Sequence, residues 1–124
     1  MTKTRPKYLD PLRIRLPIPG LLSILHRISG LGLFLFLPLL LWLFQSSLTS
    51  PDSYVRYRAA FANPLVKLIL IGLLWAFLHH LLAGLRFLAL DVHYGTDLPT
   101  ARATSWVVLV TAIVLTAVLG VWLW

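Results

Sequence analysis

The chain predicts an all-α membrane protein: three transmembrane helices that form part of a hetero-oligomeric helical bundle. Three observations carry this. Hydrophobic residues make up 59% of the 124 positions and charged ones 12%, too few polar side chains to cover a water-soluble globule. Three apolar runs are each long enough for the roughly 20 residues that cross a bilayer as a helix. Only short polar stretches separate them, so no length remains for a soluble domain, and catalytic machinery outside the membrane must come from partner chains. The sequence therefore reads as one membrane-anchor domain over 1–124, with spans at about 21–44, 65–90 and 104–124.

Taken in order, Met1 to Pro19 carries Lys3, Arg5, Lys7, Arg13 and Arg15 against Asp10, with prolines at 6, 11, 17 and 19 that preclude a continuous helix. The apolar run that follows is too long for a secretory signal, so the N-terminus is expected to remain uncleaved. Pro17, Pro19 and Gly20 mark the start of the first span, Leu21 to Phe44, which Pro38 should kink. Gln45 to Pro64 is polar and reads as a loop with an interfacial turn around Tyr54 and Tyr57. The second span, Leu65 to Leu90, holds ionisable groups deep inside, at His79, His80 and Arg86. Asp91 to Arg102 is a turn with Gly95 and Pro99, in which His93 reads as solvated. The third span is uncharged from Trp106 onward, with Trp122 and Trp124 as an interfacial anchor.

Composition also excludes whole classes. The sequence has no cysteine, which rules out disulfides, thiolate-held iron–sulfur clusters and covalent c-type haem attachment. The net charge of +7 could suggest nucleic acid, but the basic residues concentrate beside the first span, where they set orientation and meet anionic membrane lipid. No nucleic-acid reader is present. Five Lys and Arg in the N-terminal tail outweigh Arg56 and Arg58 in the first loop, which predicts a cytoplasmic N-terminus and a C-terminus on the opposite side. Ser23, His26, Arg27, Arg86 and Asp91 then gather in the inner half of the membrane, as suits a site served from the cytoplasm.

The candidate site begins at Ser23-Ile24-Leu25-His26-Arg27-Ile28-Ser29-Gly30. On a helix Ser23, His26 and Arg27 project from one broad face, placing a hydroxyl, an imidazole and a guanidinium at the mouth of a membrane span. Ionisable groups at that depth usually face a partner, a pore or a ligand. Arg27 equally suits snorkelling to the headgroups. On the second span the ridge through His80 reads Gly72, Ala76, His80, Gly84, small residues that leave a flat slot in which an imidazole could serve as axial ligand to a planar haem. The same ridge also fits an ordinary small-xxx-small helix contact with His80 hydrogen-bonded across it. The ridge through His79 contains Trp75, which partly fills the space. Arg86 lies about 9 Å along the axis from His80, a distance compatible with haem propionates and equally with snorkelling. His80 lies some 16 Å from Asp91, and His26 about 8 Å past Leu21, so the two histidines are expected at different depths and not on one iron.

SILHRISG followed by HHLLAGLRFLALD resembles the cytochrome b subunit of bacterial succinate dehydrogenase, the larger membrane anchor of respiratory complex II. Arg5-Pro6, three spans and a polar loop after the first also match, so the resemblance covers essentially the whole chain. It implies that Ser23 and Arg27 belong to a quinone site, that His26 neighbours the haem edge, and that His80, four before Gly84 and six before Arg86, is the axial ligand to haem iron. His79 has no counterpart, and Phe87 stands where many relatives carry histidine. The resemblance further implies a bacterial inner-membrane complex that links the citric acid cycle to the respiratory chain. In it a flavoprotein subunit oxidises succinate, an iron–sulfur subunit carries the electrons, and this chain with a second small membrane anchor subunit binds haem b and ubiquinone. The second axial histidine is then expected from that partner anchor. Two other readings are an anchor of a fumarate reductase and a non-enzymatic three-helix transporter or assembly subunit.

Overall fold

The computed structural model describes residues 14–124, so Arg5-Pro6 and the basic residues through Arg13 lie outside the described part. Four helices follow one another: α1 (Ile18–Thr49), α2 (Pro51–Phe61), α3 (Pro64–Asp91) and α4 (Leu98–Leu123), with no strand among the described residues. Of these, α1, α3 and α4 are long and apolar enough to cross a membrane, at 32, 28 and 26 residues. Their lengths of about 39 to 48 Å exceed the roughly 30 Å of hydrocarbon they must span.

Each helix carries a proline in its first turn, and the three long ones start before the bounds expected from hydropathy. Pro19 sits in the first turn of α1, where its missing N–H leaves nothing unpaired, so the helix begins at Ile18 instead of Leu21. It continues through Pro38 to Thr49, because the hydroxyls of Ser47 and Thr49 donate back to the carbonyls of Phe44 and Gln45. The stretch expected as a loop contains α2, whose start is a reciprocal Ser50–Ser53 capping box with Pro51 in the first turn. Asp52 near its N-terminus and Arg58 near its C-terminus complement its dipole. The capping hydroxyl of Ser53 also donates to Ser46 O at 2.7 Å, tying α2 to the end of α1.

The α3–α4 connection is shorter than expected. At the end of α3 the Tyr94 and His93 amides return to Ala89 O and Leu90 O, with His93 in the left-handed region at φ 63°, a Schellman arrangement. Gly95 follows at φ 73°. Asp97 then caps α4, its carboxylate accepting from both the amide and the hydroxyl of Thr100. Those bonds hold its carboxyl below the usual carboxylate range. With Pro99 in the first turn, α4 starts at Leu98, about six residues before the expected 104.

The three long helices pack most tightly where α1 begins, α3 ends and α4 begins. Leu22, Ala83 and Val108, one from each, form a buried cluster flanked by Leu82, Phe87 and Leu109. Ala83, Ser105 and Ala112 are fully buried, and such small residues let helix backbones approach closely in a membrane. Farther along α1, Phe34, Leu35, Trp42 and Phe44 stay exposed, a surface suited to hydrocarbon or a neighbouring apolar helix.

Candidate functional site

His80 reaches from α3 across to α1. Its Nδ1 lies 3.0 Å from His26 O, and a carbonyl oxygen can only accept, so Nδ1 carries a proton and Nε2 is the nitrogen not used in this bond. The hydroxyl of Ser29 donates to the same carbonyl at 2.9 Å, and its oxygen stands 3.4 Å from His80 Nδ1. This approach depends on Gly30: a Cβ there would lie 2.7 Å from His80 Cε1 and 3.1 Å from Nδ1. The face of the ring is covered by His26, stacked at 4.2 Å between centroids and 9° between planes, and Phe87 tilts against His26 at 5.1 Å. One nitrogen and one ring face are thus taken up by α1, leaving the Nε2 edge as the chemically available part of His80.

The stacking corrects the expected depth difference between the histidines, which lie at one level. The early start of α1 moves its end about 4.5 Å farther from His26 and removes about half of the apparent offset. They still do not suit one iron. Two axial imidazoles point their nitrogens at each other along the ring planes, whereas these rings lie face to face.

His79 is set apart from its neighbour by burial. It has no exposed surface, stacks on Trp75 at 5.1 Å and 4°, and neither ring nitrogen has a hydrogen-bond partner among the described residues. The ridge through His80 is not one continuous slot. Positions four apart drift by about 40°, so Gly72, eight residues before His80, has turned by about 80°. It lies in a groove with Trp75, Thr116 and Gly120, where a Cβ would meet nothing within 4 Å. Gly84 instead faces α1, and a Cβ there would make an ordinary 3.6 Å contact with His26 Nε2.

Arg86 does not reach towards solvent. It is buried against α4, with Nε donating to Thr104 Oγ1 at 2.9 Å and Nη2 to Ala101 O at 3.0 Å. Six residues from His80 is a rotation of about 240°, which explains why one side chain meets α1 and the other α4. Ser23 is half-buried and Arg27 exposed on the outer side of α1, so the opening cluster divides: His26 turns inward to His80 and Arg27 outward from the bundle. Sequence reasoning placed no role on Ser29 or Gly30, although both stood in the singled-out segment, and it gave Arg86 no partner on the third span.

Comparison with known proteins identifies the family. The family model described as succinate dehydrogenase/fumarate reductase transmembrane subunit matches residues 1–119. The succinate dehydrogenase cytochrome b556 subunit of Coxiella burnetii is 35% identical over 125 residues, spanning 100% of both chains. Those of Paracoccus denitrificans and Rickettsia felis are each 35% identical, over 82% and 86% of this chain and 78% and 83% of their own. A three-span helical chain with a paired His26–His80 centre, matched over nearly its full length, belongs to the family of succinate dehydrogenase/fumarate reductase transmembrane subunits, the membrane part of an oxidoreductase complex.

Proposed function

We propose that this chain anchors a succinate:ubiquinone oxidoreductase in the bacterial inner membrane, holds haem b through His80 together with a second small anchor subunit, and contributes Ser23 and Arg27 to the ubiquinone-reduction site. The observation that carries the proposal is the placement of His80, whose Nδ1–H is committed to the His26 carbonyl, so that Nε2 is the nitrogen left to bind a metal. Metal-bound histidines are usually held this way, with the second nitrogen bonded so that tautomer and ring orientation are fixed. The cytochrome b556 names of the relatives imply haem in those proteins, and the residues here fit one. His79, enclosed and stacked on Trp75, offers no comparable approach.

When bound, the haem supplies a one-electron redox centre within the membrane. This chain's residues give it a ligand and compensate charge. Arg86 brings a buried positive charge whose hydrogen bonds go to neutral acceptors, and the propionates are the anions it suits. Towards quinone, the Ser23 hydroxyl donates to a ring carbonyl, and the exposed Arg27 guanidinium stabilises negative charge as the ring is reduced, an electrostatic role in a partly dehydrated site. In this reading succinate oxidation and electron delivery fall to the flavoprotein and iron–sulfur subunits, and the 124 residues here, which include no cysteine, serve the haem and quinone end.

The test separates the two ends of electron flow in the assembled complex. Ser23→Ala and Arg27→Leu should leave succinate oxidation by a soluble artificial acceptor intact and lower ubiquinone reduction by about a hundred- to a thousandfold. A parallel fall in both activities would instead make these residues subunit contacts.

A further inference from the structure

Ser29 and Gly30 lie in the segment that marks the site, yet anchoring, haem ligation and quinone binding as described above give neither of them a task. Their positions do. The Ser29 side chain is almost fully buried, its hydroxyl donates to His26 O at 2.9 Å, and its oxygen is 3.4 Å from His80 Nδ1. That carbonyl is the acceptor for His80 Nδ1 at 3.0 Å, so hydroxyl, carbonyl and imidazole form a closed three-membered set. Gly30 occupies the adjoining position, where the first carbon of any side chain would stand 2.7 Å from the His80 ring. Real Cβ contacts do not come that close, so either ring or helix would have to move.

We propose that Ser29 is a positioning residue for His80. It fixes the rotation of the imidazole about its own bond, while Gly30 supplies the space in which the ring lies. The inference rests on His80 being the haem ligand and deepens that reading. The His26 carbonyl alone can fix the tautomer, but a single acceptor leaves the ring free to swing about the hydrogen-bond axis. The Ser29 oxygen on one side and the stacked His26 ring on the face remove that freedom. A ligand whose ring plane is fixed gives iron one defined ligand field, and one that swings gives a spread of them. Ser29 thus acts on the geometry of ligation without touching the metal.

The experiment uses the assembled, haem-loaded complex carrying Ser29→Ala, Ser29→Thr or His80→Ala. Two readouts are needed: the low-spin ferric haem signal in electron paramagnetic resonance, and the rate at which the b-type Soret band is lost at one elevated temperature. Succinate oxidation with a soluble acceptor reports assembly. Ser29→Ala is expected to assemble and keep a b-type spectrum, with a shifted and broadened low-spin signal and Soret loss about fivefold faster, the equivalent of one ordinary hydrogen bond. Ser29→Thr, which retains the hydroxyl, should return both readouts towards the parent. Parent-like signal and rate in Ser29→Ala would overturn the proposal, as would failure of Ser29→Ala to assemble, since Ser29 would then be a helix-packing residue. Failure of the underlying reading looks different: His80→Ala would keep the parent's low-spin signal.

Discussion

At the scale of single residues, the two deeply placed ionisable groups that are most buried have opposite energetic characters. Arg86 spends two hydrogen bonds on α4, one to a hydroxyl and one to a carbonyl, and bonds from charged donors are worth about 1.5–3 kcal/mol each. Arg86→Leu should therefore lower the stability of the solubilised complex by about 3 kcal/mol, the low end for two such bonds, read from its thermal or denaturant unfolding. Thr104 would not be left unsatisfied, because its hydroxyl also donates to Thr100 O, and this keeps the loss from being larger. His79 contributes no such bond. Both its nitrogens are buried without partners among the described residues, and each unpaired polar group of that kind costs about 1–3 kcal/mol. His79→Phe, which preserves the stack on Trp75, should leave stability unchanged or raise it by about 1 kcal/mol in the same measurement. A loss of several kcal/mol would mean that His79 has a bonded partner in the assembled complex.

At the scale of elements, turn and cap chemistry decides where the helices stop. Gly95 sits at φ 73° with Thr100 Cγ2 3.3 Å from where a Cβ would stand, so Gly95→Ala should cost about 1–2 kcal/mol and loosen the α3–α4 connection. Asp97 gives the same connection a pH dependence. Its carboxyl is held below the usual range by Thr100, so its stabilising contribution is present above the unfolded value of about 3.9 and is lost as pH falls through the lower folded value. Thermal scans of the complex from pH 6 to pH 3 should show an acid-side decline that is smaller in Asp97→Ala. These same devices separate what the sequence disclosed from what it did not. Three spans were legible because a run such as LGLFLFLPLLLWLF has one reading in a bilayer. The helix α2 was not, since PDSYVRYRAAF lacks a strong apolar period, and its start rests on Ser50 and Ser53 bonding each other reciprocally. Within the site, Ser23, His26, Arg27 and His80 could be singled out by type and spacing along single helices. The partners of His80 and Arg86 lie 51 and 54, and 15 and 18, residues away on other helices, and periodicity holds no information about such pairs.

At the scale of the whole molecule, the tight end of the bundle and the exposed apolar length of α1 have to be placed in a membrane and an assembly. The count of positive charges predicts, as the orientation proposed for this chain, that Ser23, His26, Arg27, His80 and Arg86 face the cytoplasmic half. Reporter fusions after Thr49 and after Trp124 should both register the outer compartment and one at Gly95 the inner; a fusion at Gly95 that also appeared outside would contradict three spans. If His80 ligates haem as proposed, the face-to-face stacking of His26 and His80 keeps His26 off the same iron, and the proposal takes the second axial histidine from the partner anchor subunit. The most direct measurement is the reduced-minus-oxidised optical spectrum of the assembled complex carrying His80→Ala or His79→Phe. The account predicts that His80→Ala disturbs the b-type bands while His79→Phe preserves them, and equal effects of the two substitutions would contradict it.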